Sequence, residues 1–179
     1  MEINVVQVIP YSRELVFRTI RDQLPELGAY LPNIESIQVE QREEPAPGEV
    51  KLLNRWKAAK TEVPAVARAF LDPAKLAWLD RAHWQEADWS NTWDIEVSFM
   101  KERVSCRGRS VYTAKDARST EVRILGELAL DLKGLLPGFL ASRAAPSVES
   151  FVVGLIQPNF AKVNDGVAKY LEAHPELLG

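Results

Sequence analysis

The sequence predicts an α+β fold in which a curved antiparallel sheet of seven strands wraps a long C-terminal helix and encloses an apolar cavity. Three observations carry that expectation. Most of the strand-like segments follow one another with short polar connections, the rhythm of an antiparallel meander. Helical spacing separates the first strand from the others. The C-terminal region carries Val148, Val152, Ile156, Phe160, Val163, Val167 and Tyr170 at intervals of three or four, the stripe of an amphipathic helix.

In chain order, residues 2–9 read as a strand because Ile3, Val5, Val6, Val8 and Ile9 are β-branched and partly alternate with polar neighbours. Pro10 ends it. Ser12 stands where it can cap a helix over 13–23, in which Val16, Phe17, Ile20 and Leu24 share a face. Pro25 opens a second short helical piece, and Leu31-Pro32-Asn33 closes it, since the residue before a proline avoids the α region. Strands follow at 34–43 and 49–57, joined through the turn Pro45-Ala46-Pro47-Gly48. Residues 58–75 interrupt the pattern as an inserted loop with a short helix over 65–71, between Pro64 and Asp72-Pro73. Strands resume at 76–85, 91–99, 103–113 and 120–132. The final helix spans 147–172, with a kink where the ring of Pro158 meets the carbonyl of Gly154.

Side chains in a strand change sides at every residue, so alternation assigns faces. Trp93, Ile95 and Val97 oppose Asp94 and Glu96; Val122, Ile124 and Leu128 oppose Arg123 and Glu127; Val104, Cys106, Gly108, Ser110 and Tyr112 oppose Arg103, Arg107 and Arg109. Pairing Val97 with Cys106 keeps these faces matched and sets Glu96, Arg107 and Glu127 in one row on the solvent face. The outward arginines read as a solvated charge ladder in preference to an anion site. Under this register Ile95 lies beside Gly108 and Gly126, a bare spot that reads equally as cavity or as a bend in the sheet.

The chain has 179 residues, 46% hydrophobic and 26% charged, which suits one domain over 1–179 with a substantial core. A net charge of −3 supplies no broad cationic field, so nucleic acid is not an expected partner. No apolar run reaches the length of a membrane span or leader, which gives the expectation of a cytoplasmic protein without stable membrane insertion. The lone Cys106, with His83 and His174 far apart in sequence, provides no disulfide and no metal-ligand spacing, so no cofactor or metal is implied.

The order strand, two helices, six strands, long helix resembles the START, polyketide-cyclase and birch-pollen-allergen (SRPBCC) superfamily, the helix-grip fold. The residues most similar to bacterial members are Val8-Ile9-Pro10, Arg13-Glu14-Leu15-Val16-Phe17, Arg21-Asp22, Pro25-Glu26-Leu27 and Tyr30 through Ile37. The resemblance implies an apolar ligand such as a lipid, quinone or polyketide between sheet and helix. Val66, Phe70 and Leu71 of the insertion then cover one end of the cavity, and Leu135, Leu136, Phe139 and Leu140 form part of its rim. Both groups read equally as core or subunit contact, which leaves a homodimer open. A lipocalin is the rival apolar cup, but helices between its first two strands fit it badly.

Parity points Trp56, Trp78, Trp84 and Trp93 inward, where they serve as core or as pocket wall. The inward polar positions are Asn54, Asp80, Ser110 and Tyr112, which a dry interior accepts only when hydrogen-bonded. For Asp80, a strand end open to solvent is the favoured account. Together with Ile95, Gly108 and Ile124 from the sheet and Val152, Ile156 and Phe160 from the helix, these form the candidate ligand-binding set. No catalytic residue is assigned, because His83 points outward while Cys106 points inward, and no nucleophile has a base in reach. The leading expectation is a noncatalytic carrier or sensor. A cyclase or dehydratase using Asp80 or Tyr112, and a protein-interaction module, are the alternatives.

Overall fold

The alternation that marks the strands also pairs them. In the computed structural model, which describes residues 1–59, 76–98, 103–131, 150 and 160–178, there are seven strands: β1 (Glu2–Ile9), β2 (Ile34–Ala46), β3 (Glu49–Ala58), β4 (Ala77–Gln85), β5 (Ser90–Val97), β6 (Val104–Asp116) and β7 (Ser119–Leu130). They form one antiparallel sheet in the order β1-β7-β6-β5-β4-β3-β2. Strands β2 to β7 are a meander in which each neighbour in sequence is a neighbour in space. Strand β1 instead joins the far edge, Glu2 pairing with Glu127 and Ile9 with Thr120.

Between β1 and β2 lie α1 (Arg13–Asp22), α2 (Leu24–Leu27) and a turn of 3-10 helix over Gly28–Tyr30. Ser12 holds the extended backbone of an N-cap and its carbonyl accepts from Val16 N–H at 3.0 Å, but its side chain makes no capping bond. Helix α1 is therefore fixed by packing. Val16 and Phe17 are wholly buried, and full burial of each such side chain is worth about 1.5–3 kcal/mol. Phe17 meets the edges of Trp84, Trp89 and Tyr112 at centroid distances of 5.0, 5.2 and 5.2 Å. At the end of α1, Arg21 bonds Asp22 at 2.8 Å and Glu86 at 2.7 Å, tying the helix to the β4–β5 turn.

The C-terminal helix, α3, is described over 160–173. It buries Val167, Tyr170 and Leu171 and is joined to β1 by Asn164 Nδ2 donating to Gln7 Oε1 at 2.8 Å and Gln7 Nε2 donating to Asp165 Oδ1 at 3.2 Å. The kink at Pro158, the helix over 65–71, the covering residues Val66, Phe70 and Leu71, and the rim at 135–140 lie outside the described residues. No helix among the described residues is long and apolar enough to cross a membrane.

The faces agree with the parity reading, but the β5–β6 register does not. Ile95, not Val97, pairs with Cys106, so Arg107 stands between Asp94 and Glu127, and Glu96 drops out of that row to pair with Arg81 at 2.9 Å. The shift of two residues preserves every face. Its reason is visible on the inner side: Trp93, rather than Ile95, now lies opposite Gly108, and its indole covers Gly108 and Gly126 together. A Cβ on Gly126 would sit 2.5 Å from Trp93 Cη2 and 2.6 Å from Arg107 O. The largest side chain in β5 thus fills the space that two missing side chains leave.

Candidate functional site

The inner face of the sheet is built in rows set by the strand pairing. One row runs Trp84, Asn91, Ser110, Ile124; the next runs Ala82, Trp93, Gly108, Gly126; the third runs Asn54, Asp80, Ile95, Cys106, Leu128; and Trp56 and Trp78 stand beside Val97 in the fourth. Ala82, the one small side chain between Asp80 and Trp84 on β4, leaves open space in front of the sheet. The opening is a cavity of about 100 Å³, closed by Ile20 of α1, Leu24 of α2 and Phe160, Val163 and Asn164 of α3.

Ten of the residues expected at the site line this cavity: Trp56, Trp78, Asp80, Trp84, Trp93, Ile95, Ser110, Tyr112, Ile124 and Phe160. Asn54 lies behind the wall, fully buried, and acts through Asp80. Gly108 does not line it, because Trp93 covers the position. Val152 and Ile156 fall outside the described residues. Ile20, Leu24, Ala82, Asn91, Val163 and Asn164 complete the lining without having been expected. Parity from Asp80 and Trp93 already turned Ala82 and Asn91 inward, and the helical stripes already contained Ile20, Leu24 and Val163; Asn164 carried no such signal.

Six aromatic side chains among the described residues stand in the wall. Trp56 and Trp78 stack across β3 and β4 at 5.7 Å and 16°, and Trp93 leans on Phe160 at 4.7 Å. The polar groups among them are incompletely satisfied. Trp93 Nε1 donates to Ser110 Oγ at 3.2 Å, whereas Trp56 Nε1, Trp84 Nε1 and the side-chain oxygens of Asn54 and Asn91 are buried without a hydrogen-bond partner among the described residues. Each such group costs about 1–3 kcal/mol of desolvation unless something bonds it.

Asp80 lies in the middle of β4 and in the cavity wall, not at a solvated strand end. Its Oδ2 accepts from Asn54 Nδ2 at 3.1 Å. Burial pushes its pKa up to about 6, and the charge of Asp94 adds to the rise; the amide of Asn54 and the nearby indole N–H of Trp56 oppose it. That indole favours the anion by proximity, although it falls outside hydrogen-bond geometry. Burial also raises the Tyr112 hydroxyl, with Asp80 contributing, and pushes the Cys106 thiol up to about 12, so neither ionises near neutrality. His83 is on the other face, 3.3 Å from Glu49. Chemically, the site offers one carboxyl group that titrates near neutral pH inside an aromatic chamber.

A seven-stranded antiparallel sheet whose inner face meets a C-terminal helix, with two short helices after the first strand, is a helix-grip fold. No family model matches the chain, and no curated protein matches it. Solved structures do. The Thermus thermophilus protein TTHA0849 shares 21% identity over 97% of this chain and 98% of its own, with a TM-score of 0.66. The Zhui aromatase/cyclase of a Streptomyces strain shares 12% over 97% and 94%, with a TM-score of 0.65. Norcoclaurine synthase from Thalictrum flavum, in complex with dopamine and hydroxybenzaldehyde, shares 13% over 97% and 87%, with a TM-score of 0.55. These likenesses are of fold.

Proposed function

We propose that the protein binds an apolar, ring-bearing small molecule in the cavity between sheet and α3, as a carrier or sensor. The observation that carries this reading is a chamber walled by four tryptophans, Tyr112 and Phe160 that also holds unpaired polar atoms. A core selected only for packing fills such space and leaves few orphaned donors, not several along one wall. The opening, about 100 Å³, is of the order of the ~150 Å³ dry cavity that accepts benzene but smaller, which favours a ligand of ring size or a ring-sized part of a larger quinone, polyketide or lipid for which the wall gives a little. Fold likeness to an aromatase/cyclase and to a synthase crystallised with aromatic compounds supports the same class.

Intrinsic tryptophan fluorescence titrated with quinones, polycyclic phenols and lipids tests the reading. A saturable change with one class is expected, and the absence of any saturable change across all of them refutes it. A second reading, a cyclase or dehydratase, is favoured by Asp80 alone, because a carboxyl group with a pKa of about 6 is suited to exchange protons at neutral pH. Turnover that disappears in Asp80→Asn while binding persists distinguishes the two.

A further inference from the structure

The cavity wall is mostly apolar, and among the described residues that line it Asp80 carries the one carboxyl group, without a cation to balance it. Asp80 has one carboxylate oxygen held by Asn54, and none of the described residues that line the cavity is a lysine, arginine or histidine. The arginines nearest in the sheet are turned away. Arg81 and Arg107 occupy the opposite face, where they bond Glu96 and Glu127. An asparagine at position 80 would keep an acceptor for the Asn54 amide and carry no charge, so the carboxylate is a burden on the unliganded fold.

Strand register also fixes what surrounds that carboxylate. Trp78 is two residues from Asp80 on β4, Trp56 is diagonal to it on β3, and Trp93 is diagonal on β5. Same-face diagonal positions lie roughly 7–8 Å apart, within reach of an indole. The Trp93 indole turns the other way, over Gly108 and Gly126, which leaves Trp56 and Trp78 beside the carboxylate. A carboxylate in an aromatic wall, with no cationic side chain among the described lining residues, matches a protonated amine above other groups, since the ammonium supplies both the opposite charge and the donors. A neutral hydroxyl would donate a hydrogen bond but leave the charge uncompensated.

We infer that the molecule held in this cavity carries a protonated amine, whose ammonium pairs with Asp80 beside Trp56 and Trp78 while its apolar body fills the space in front of Ala82. The inference rests on the proposed binding function and narrows its ligand to aromatic or alicyclic amines. Asp80 is then the residue that sets specificity, and Asn54 the residue that positions it. The groups facing Asp80 are Asn54 and Trp56 from β3 and Tyr112 from β6, with Leu24 of α2 and Val163 and Asn164 of α3 across the cavity, while Asp94 of β5 adds negative charge from the opposite face of the sheet. None of these supplies positive charge. Protonation of Asp80, with a pKa of about 6, removes the attraction as pH falls.

The experiment compares benzylamine, benzyl alcohol and toluene by calorimetry and tryptophan fluorescence, on the full chain and on Asp80→Asn, at pH 7.5 and pH 5. Benzylamine is expected to bind at least tenfold tighter than the other two at pH 7.5. Its affinity should fall about tenfold at pH 5, the loss of ionised Asp80 that a pKa of about 6 implies, and toluene's should not change. Asp80→Asn should abolish the preference and leave toluene binding intact. Equal or tighter binding of the alcohol or toluene, or a preference for the amine that survives in Asp80→Asn, overturns the inference and leaves the binding function standing. If none of the three binds and the quinone, phenol and lipid series also fails, the binding function falls and the inference falls with it.

Discussion

Replacing Asp80 with asparagine should stabilise the protein, by an amount that depends on pH in a calculable way. Asp80 has its pKa raised from 3.8 to about 6 by burial. A carboxyl group with a raised folded-state pKa binds its proton more tightly in the native state, so its contribution is most favourable below pH 3.8 and is lost as pH rises through about 6. The rise corresponds to about 3 kcal/mol of destabilisation at pH 8, and to less than about 1 kcal/mol at pH 4. Asparagine keeps an oxygen for the Asn54 amide and carries no charge. Urea denaturation of both proteins at intervals between pH 4 and 8 measures the difference, in which every other titrating group cancels. The stability gap should widen by roughly 2–3 kcal/mol across that range. A gap that stays constant with pH, or one that favours wild type more at pH 8 than at pH 4, would refute the reasoning.

Phe17→Ala removes the ring that meets Trp84, Trp89 and Tyr112 by their edges and should cost about 3–5 kcal/mol in urea denaturation. Gly126→Ala places a Cβ 2.5 Å from the Trp93 ring and 2.6 Å from Arg107 O, so a loss of about 1–3 kcal/mol is expected, with a changed near-ultraviolet dichroism from the displaced indole. Cys106, 1% exposed and with its thiol pKa pushed up to about 12, should resist a thiol reagent at pH 8 until denaturant is added. Rapid stoichiometric labelling of the native protein would show that its environment has been misassigned.

Much of the sheet was legible because its faces follow a period of two and each strand states that period independently. Trp93, Ile95 and Val97 declared the inner side without reference to any neighbour. Register is a relation between strands, and a slip of two residues leaves all those declarations unchanged. What settles it is a three-strand fit, the indole of Trp93 against the backbones at Gly108 and Gly126. The charge pairing used to guess the register was the weaker guide: Asp94 and Glu96 present the same charge two residues apart, so either could face Arg107.

The cavity wall was similarly half readable. Parity placed Asp80 inward, but the mid-strand burial that distinguishes it from a solvated end depends on β3 and β5 flanking it and on α3 closing over it. Asn91 opens the strand read at 91–99, and parity turns it inward with Trp93, but nothing in the sequence sets it opposite Trp84 and Ser110 in the cavity wall. Asn164 emerged only with tertiary contact, through its bond to Gln7 of β1.

That bond, and the seam beside it, give the molecule an order of assembly. β1 leaves the ribosome long before β7, the strand it pairs with, and at roughly 5–20 residues per second the wait lasts on the order of 6–25 s. Through that interval Ile3, Val5 and Val6 form an apolar ribbon with no ladder to join. The meander from β2 to β7 can close locally first, and the opening segment is the natural client for a chaperone and the natural origin of exchange between chains when closure is slow.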